Sequence, residues 1–423
     1  MKRRGVGQSH SGRTRERNDD VVFVDDALGL YVVGDGMGVH EQSEMAARQA
    51  VRAAVEEVRA RLAESETSSG EGSGGELGRE ELVALARRAS LAACHDVYLL
   101  ASTNDERSGM VASMTLVLVR GDFAAIAHVG DARAYLLRDR TAMQLTVDHT
   151  LASGLQQTLD DEGAGPAGYG PPLTRALGIR PVVTVDAFSV DVMAGDRILL
   201  CSDGLTRHIP GDEWLVTQLE GNALDAIAEE LISHANEAGG QDNISVVLVT
   251  LESSVTDPPP PSQRVRQQSG RLHALGGVFL FRELPIGLLS RIITHCEIRR
   301  VTDGETLFED GERCDRLFVV AEGRLRLVDD GTVVGELDAG AHTGSTTLLH
   351  PRPARASLVS DGPSTVITLG SERFWWLVKA RPWLGVNLLE RLVEELGREL
   401  ESSIARRDDG VDATSVLDPS ERL

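Results

Sequence analysis

Tyr31-Val-Val-Gly-Asp-Gly-Met-Gly-Val-His40 is the stretch around which this chain is organised. A short apolar strand, Leu30 to Val33, runs straight into Asp35, and three glycines within five residues are expected to end it in a turn. Glycine there admits positive φ and lets the backbone approach a neighbour closely. A carboxylate at the end of a buried strand, with a main-chain carbonyl beside it, can be aimed at a metal ion. Alone, an Asp-Gly pair is an ordinary turn. Four more acidic clusters beside apolar strand patterns change that reading: Asn18-Asp19-Asp20, Gly130-Asp131, Ser202-Asp203-Gly204 and Gln241-Asp242-Asn243.

These clusters offer hard oxygen ligands without histidine or thiolate partners, a set that selects Mg²⁺ or Mn²⁺ over zinc or copper. Two such ions sharing a carboxylate lower the pKa of water enough for in-line attack on phosphorus. A phosphate substrate also needs a fixed cation, and the planar fork of arginine suits it. Arg13, Arg15 and Arg17 precede Asn18-Asp19-Asp20 and would share one face if extended, so spacing does not choose among them.

At 423 residues the chain is two to three domains long, and 41% of it is hydrophobic. A net charge of −22 argues against nucleic acid or an anionic membrane surface as the main partner. The four cysteines, Cys94, Cys201, Cys296 and Cys314, are far apart, which fits a reducing cytoplasm and no zinc site. Met1-Lys-Arg-Arg4 is not followed by the apolar core of a signal peptide. No run approaches the roughly 18 apolar residues of a membrane span.

Over residues 1–252, Val21–Val24 and Leu30–Val33 read as a hairpin, and Ser43–Ala63 as a helix with Val51, Val55, Val58 and Leu62 on one face. Ser65–Gly78 reads as a surface loop and Arg79–Ser102 as a second helix. Met114–Arg120, Phe123–Val129 and Arg133–Leu137 look like a meander, and the Gly/Pro-rich stretch 163–172 like a surface flap. Arg197–Cys201 is a buried strand, Asp212–Glu237 helical in two pieces, and Asn243–Leu251 a final strand. The class is α+β, with helices layered outside antiparallel sheets.

The blocks Gly12-Arg-Thr-Arg15-Glu-Arg-Asn18-Asp-Asp20, Val33-Gly-Asp-Gly-Met-Gly-Val-His40, His128-Val-Gly-Asp-Ala-Arg-Ala-Tyr-Leu-Leu137, Leu173-Thr-Arg-Ala-Leu-Gly178, Gly195-Asp-Arg-Ile-Leu-Leu-Cys-Ser-Asp-Gly-Leu205 and Gly240-Gln-Asp-Asn-Ile-Ser245 resemble, in order and spacing, the motifs of bacterial PPM-type metal-dependent serine/threonine phosphatases. The resemblance implies an antiparallel β-sandwich flanked by helices, acting on phosphorylated proteins with two core Mn²⁺ or Mg²⁺ ions and a third, weaker one. It implies that Asp35 bridges the core ions, Gly36 offers its carbonyl, Asp203 and Asp242 complete one site, and Asp19 serves the other through water. Asp131 with Asp203 matches the third site. By the same resemblance Asp20 orients the attacking water and Arg15 holds the phosphate. His40 is a candidate general acid because its ordinary pKa lies near neutrality, the alternative being a solvated loop histidine. His149 falls in a family block without an assigned role. The chain departs from the pattern at Asp19, where Glu is usual, at Val39, where Gly is usual, and at Ala112-Ser-Met-Thr115, in place of Gly-Thr-Thr.

Residues 253–275 carry Pro258-Pro-Pro-Pro261 followed by Gln and Ser, and read as a spacer, extended and then flexible. Residues 276–407 change to a short helix, Leu284–Cys296, and many short β runs punctuated by Asp-Gly and Gly turns, the pattern of a β-roll or jelly roll with flanking helices. The spacing of Asp303-Gly-Glu-Thr-Leu-Phe308, Leu317-Phe-Val-Val-Ala-Glu-Gly323 and Gly340…Gly344 resembles the cyclic-nucleotide-binding domain. In that family a Gly-Glu…Arg-x-Ala cassette grips ribose and cyclic phosphate. Here the cassette begins Gly344-Ser345, Ala354 stands at the arginine position, and Arg352 and Arg355 are its neighbours. A one-residue slip on a strand points a side chain to the other face, so a different small-molecule ligand or a protein ligand is expected rather than cAMP or cGMP. After Pro382, Val386, Leu389, Val393, Leu396 and Leu400 follow three- and four-residue steps, either packing on their own domain or forming a homodimer seam. Residues 408–423 are a polar tail.

The sequence therefore reads as a cytoplasmic protein serine/threonine phosphatase modulated by a C-terminal sensor domain. The alternative is a pseudophosphatase scaffold, against which stand the intact Asp35, Asp203 and Asp242.

Overall fold

In the computed structural model the described residues are 1–38, 42–68, 77–103, 109–138, 140–151, 172–221, 223–252, 263–282, 284, 286–380 and 382–408. They divide into two units that part in sequence near Val265. No described helix is long and apolar enough to cross a membrane.

In the first unit, strands β1 (Lys2–His10), β2 (Asp20–Asp25) and β3 (Leu30–Met37) lead to helices α1 (Gln42–Ser68) and α2 (Arg79–Ser102). Strands β4 (Val111–Arg120), β5 (Phe123–Val129), β6 (Arg133–Arg138), β7 (Thr141–Gln144), β8 (Asp186–Asp191) and β9 (Arg197–Cys201) follow. Then come α3 (Asp203–Thr206), α4 (Asp212–Gln218), α5 (Leu224–Glu237) and β10 (Ile244–Glu252). The strands form two antiparallel five-stranded sheets, ordered β2-β3-β4-β5-β8 and β1-β10-β9-β6-β7.

The two-residue period of β3 assigns its faces. Leu30 and Val32 pack with Val51, Val55, Val58 and Leu62 of α1. Tyr31 and Val33 belong instead to the core between the sheets, with Val117 and Ile126 on one side and Ile198, Leu200, Val247 and Val249 on the other. Each such fully buried aliphatic side chain contributes about 1.5–3 kcal/mol relative to exposure.

Three expectations are corrected. The glycines around Asp35 do not end the strand. β3 runs through Gly34-Asp35-Gly36 to Met37, and none of these glycines has positive φ. Close approach demands the glycine, because a Cβ on Gly36 would lie 1.9 Å from the Ser43 carbonyl oxygen. Second, β4, β5 and β6 are not a meander: β5 pairs with β4 and β8, whereas β6 pairs with β7 and β9 in the other sheet. Gly130 makes that crossing at φ +111°, and a Cβ there would fall 2.2 Å from Cβ of Ser113. Third, α1 continues to Ser68, beyond the expected start of the loop at Ser65. The strand β1 went unread because Lys2–His10 is polar and lacks alternation, yet it pairs along its whole length with β10. Most of the flap, 163–171, lies outside the described residues.

In the second unit, Gln263–Gly277 is helical (α6), so the flexible spacer expected to residue 275 does not reach that far, and the four prolines lie outside the described residues. Helix α7 (Ile286–Ile292) precedes β11 (Glu297–Val301), β12 (Thr306–Phe308), β13 (Arg313–Cys314), β14 (Arg316–Glu322), β15 (Arg324–Asp329) and β16 (Thr332–Asp338). Then come β17 (His342–Thr343), β18 (Arg352–Pro353), β19 (Ser357–Ser360) and β20 (Ser364–Gly370). They pair as β11-β20-β14-β17, β12-β19-β15-β16 and β13-β18, enclosing Phe308, Phe318, Val320, Leu325, Leu327 and Leu358, the β-roll expected from the turn spacing. Helices α8 (Ser371–Ala380) and α9 (Pro382–Asp408) close the unit.

Candidate active site

The apolar core between the sheets ends in a polar layer. On β3 the inward series Tyr31, Val33 continues to Asp35, and Asp35 pairs with Asp20 on β2 and with Ser113 on β4. On the facing sheet Leu200 is followed two residues later by Ser202, and Val247 is preceded two residues earlier by Ser245. Ser202 Oγ accepts from the Ser245 amide at 3.0 Å, and Ser245 Oγ lies 2.6 Å from Ser9 Oγ. The remaining acidic groups sit where strands enter or leave this layer. Asp19 precedes β2, Asp131 follows the crossing at Gly130, Asp203 follows β9, and Asp242 precedes β10.

Crowding acid groups in a buried place raises their pKa values. Burial, foremost, pushes Asp35 well above the carboxylate range, with Asp20, Asp203, Asp131 and Asp242 adding repulsion. Asp20 is pushed up to about 7 by burial, against nearby hydroxyls of Ser202 and Ser245 that favour its charged form. Asp131 rises to about 7 through burial and the charges of Asp203 and Asp148. Burial likewise raises Asp203, opposed by Arg207, and Asp19, with Glu44 adding to the rise. Both carboxylate oxygens of Asp20, with Oδ1 of Asp19 and of Asp131, are buried without a hydrogen bond of ordinary geometry. Among the described residues no three acidic, histidine or cysteine side chains converge tightly on one point.

The loop carrying the three candidate arginines is a turn, not a strand, and it is fastened by Asn243. Asn243 Oδ1 accepts from the Asp19 amide at 2.7 Å, and Nδ2 donates to the carbonyls of Ser11 (3.0 Å) and Arg17 (2.8 Å). The Gly36 amide donates to the Asp19 carbonyl at 3.2 Å. So held, Arg15 reaches Asp242 at 3.0 Å, while Arg13 and Arg17 are exposed. His40 lies outside the described residues.

Residues 6–248 match the protein phosphatase 2C family over more than half the chain. The chain belongs to that family. The serine/threonine phosphatase Stp of Listeria welshimeri is 34% identical over 243 residues, 56% of this chain and 92% of that protein. A solved structure of the serine/threonine phosphatase PstP/Ppp of Mycobacterium tuberculosis aligns with 60% of this chain and 100% of its own, at 27% identity and a TM-score of 0.50. The catalytic domain of PstP solved in complex with two manganese ions aligns over 60% of this chain and 99% of its own, with 28% identity and a TM-score of 0.50. Residues 298–381 match the cyclic nucleotide-binding domain.

Within this phosphatase 2C domain, four residues had been given no role from sequence. Asn243 lay inside a quoted cluster, but its reach to Ser11 and Arg17 is a contact across more than 220 positions and leaves no local signal. His149 turns out to hold the crossing: its amide donates to the Gly130 carbonyl at 2.7 Å, and its Nδ1 accepts from the Gly130 amide at 3.1 Å. Arg175 meets both His149 Nε2 and Asp186 Oδ1 at 3.0 Å. Arg207 caps Asp203 in an i,i+4 ion pair and reaches Asp242 at 3.6 Å. Its signal was the four-residue spacing from Asp203.

In the second unit, Ser345 and Ala354 are buried at 5% and 4% exposure, so both departures from the cassette lie inside the roll. Arg352 lies on β18 and donates to Thr346 Oγ1 at 2.9 Å within the cassette, whereas Arg355 is exposed. The exposed Arg355 is thereby set apart from the other cassette candidates.

Proposed function

We propose that the protein hydrolyses phosphoserine and phosphothreonine on proteins with the help of Mn²⁺ or Mg²⁺. The observation that carries this reading is the set of buried carboxylate oxygens of Asp19, Asp20 and Asp131 left without hydrogen bonds beside Asp35. Such groups are costly to bury unpaired, and a divalent cation offsets that cost. The donors are hard oxygens, the ligand type that suits Mn²⁺ or Mg²⁺. Asp35, the Gly36 carbonyl, Asp203 and Asp242 would hold the core ions, Asp19 one of them through water, and Asp131 with Asp203 a weaker third. When bound, the ions acidify water and neutralise phosphate charge.

The chain's own residues supply the rest. Asp20, buried between the two sheets, accepts a proton from the attacking water and aims it. Arg15, held by the loop that Asn243 fastens, grips the phosphate oxygens with its guanidinium. His40 is carried as the acid for the leaving hydroxyl. The test is hydrolysis of a phosphothreonine peptide by the full chain, with Mn²⁺ and with chelator. Manganese-dependent turnover that disappears in Asp35→Asn supports the reading. Absence of turnover in a folded, metal-loaded chain would leave the scaffold.

The C-terminal unit, in this reading, is a sensor in a cytoplasmic enzyme, answering to a ligand other than cAMP or cGMP. Turnover of the full chain compared with residues 1–252 gives the sign of its effect. Helix α9 presents two faces: Leu388 and Leu392 are buried, while Val386, Val393 and Leu396 are 53%, 66% and 37% exposed. The exposed series, with Leu389, keeps heptad spacing, valine alternating with leucine as in two-stranded coiled coils. A homodimer through this seam predicts that Val393→Asp halves the sedimenting mass.

A further inference from the structure

The chain as a whole is acidic, with 65 Asp and Glu against 43 Lys and Arg, yet the segment Arg13-Thr-Arg-Glu-Arg17 carries three arginines to one glutamate. That segment borders the carboxylates. The Arg13 amide donates to the Gly240 carbonyl at 2.7 Å, and Thr14 Oγ1 donates to the Gln241 carbonyl at 2.8 Å. The Arg17 carbonyl is held by Asn243 at 2.8 Å. Both ends of the segment are therefore pinned to the chain on either side of Asp242, while Arg13 and Arg17 are exposed. Burial and the charge of Glu44 raise the Asp19 carboxyl, and the charges of Arg15 and Arg17 oppose that rise, so both guanidinium groups lie within electrostatic reach of the site. Glu44 is itself paired with Arg48 at 2.6 Å, and Glu16 is the one acid of the segment.

We propose that Arg13 and Arg17 form a basic rim on either side of Arg15, and that the site selects phosphopeptides with acidic residues beside the phosphorylated one. The inference rests on the phosphatase reading given above and names its substrate class. Two residues of chain span at most about 7 Å, so arginines two positions from Arg15 meet side chains about two residues from a phosphoresidue that Arg15 holds. A guanidinium pairs with a carboxylate through the same fork it offers to phosphate. The net charge of −22 does not cancel this attraction, because at physiological ionic strength charges beyond about 8 Å are largely screened. The pinned backbone of the segment also loses little freedom when a peptide docks. Contacts this far from the reacting phosphorus are the same before and during reaction, so they act on KM and not on kcat.

The experiment is steady-state hydrolysis, by the full chain with Mn²⁺, of phosphothreonine peptides that differ only in having glutamate, glutamine or lysine at the second position on each side. The reference substrate is p-nitrophenyl phosphate, which has no flanks. Wild type is expected to favour the glutamate peptide over the glutamine peptide about fivefold in kcat/KM, the yield of two exposed ion pairs, and to disfavour lysine. The advantage shrinks as salt is raised. In Arg13→Gln/Arg17→Gln it disappears, while turnover of p-nitrophenyl phosphate and the circular dichroism spectrum stay as in wild type. Arg13→Glu/Arg17→Glu turns the preference to lysine. Equal use of the three peptides by wild type, a preference for lysine, or a glutamate advantage that survives in the glutamine variant would overturn the inference. So would a glutamine variant that loses p-nitrophenyl phosphate turnover in the same proportion, since the arginines would then serve the fold or the phosphate itself. Should the variants unfold, a wild-type preference indifferent to salt would overturn it equally. No manganese-dependent turnover of any of these substrates by wild type would instead overturn the phosphatase reading.

Discussion

Asp20 and Asp35 stand directly opposite each other on β2 and β3, two carboxylates in one antiparallel pair at the end of the core between the sheets. Like charges so placed repel, and burial deepens the cost. Without metal, Asp35→Asn should raise stability, because it removes a carboxylate disfavoured by burial and by the charge of Asp20, and the same variant should lose turnover. Thermal melts in chelator and in Mn²⁺ check both halves: the variant should melt above wild type in chelator and gain less from the metal. A variant less stable in chelator would contradict the charge argument.

Asn243 ties three backbone groups of the Ser11–Asp19 loop to the strand that follows Asp242. Asn243→Ala leaves the Asp19 amide and the Ser11 and Arg17 carbonyls without that partner. A loss of about 1 kcal/mol is expected for part-buried groups so stranded, read from urea unfolding. Because Arg15 rides on this loop, KM for a phosphopeptide should rise more than it does in a variant of equal instability elsewhere, such as Val58→Ala.

His128 is buried between Thr115 Oγ1, at 2.8 Å, and the Val147 carbonyl, at 3.1 Å, and burial pushes its pKa down to about 3. Its neutral form is the one the fold accommodates. The corresponding stability is complete above the unfolded pKa near 6.5 and is lost as pH falls from there towards 3. Melting temperatures of wild type and His128→Gln, followed from pH 7.5 to 4.5, should converge on acidification. Parallel curves would place the group's proton elsewhere.

Ser345 and Ala354 are buried, and by the resemblance to the cyclic-nucleotide-binding domain they replace the acid and the arginine expected to meet ribose and cyclic phosphate. The full chain should therefore show no shift in melting temperature with cAMP or cGMP at millimolar concentration. Tight binding of either would require Arg352, already hydrogen-bonded to Thr346, to turn to the phosphate.

The ordered acidic motifs made the phosphatase domain legible through their resemblance to a known family, and the sandwich came with that resemblance; the apolar runs beside the motifs gave only the α+β class. The helix Arg79–Ser102 and the strand Phe123–Val129 fall where the sequence reading put them. The polar edge strand β1 was illegible, since its place comes from nine backbone pairings to β10 and not from side-chain alternation. The helix Gln263–Gly277 was hidden by the Pro-rich stretch before it.

Asp35 shows where sequence and tertiary structure divide the work. Sequence alone determined that an aspartate would lie in line with a buried apolar run among glycines, and which other acidic clusters would accompany it. Tertiary structure decided why the glycines are there: α1 packs so closely that a side chain at Gly36 would strike the Ser43 carbonyl. It also decided which charges meet, setting Arg15 on Asp242 and Arg207 on Asp203. Local patterns record what each strand buries, but the balance of charge at a site depends on which distant segments the fold brings within reach.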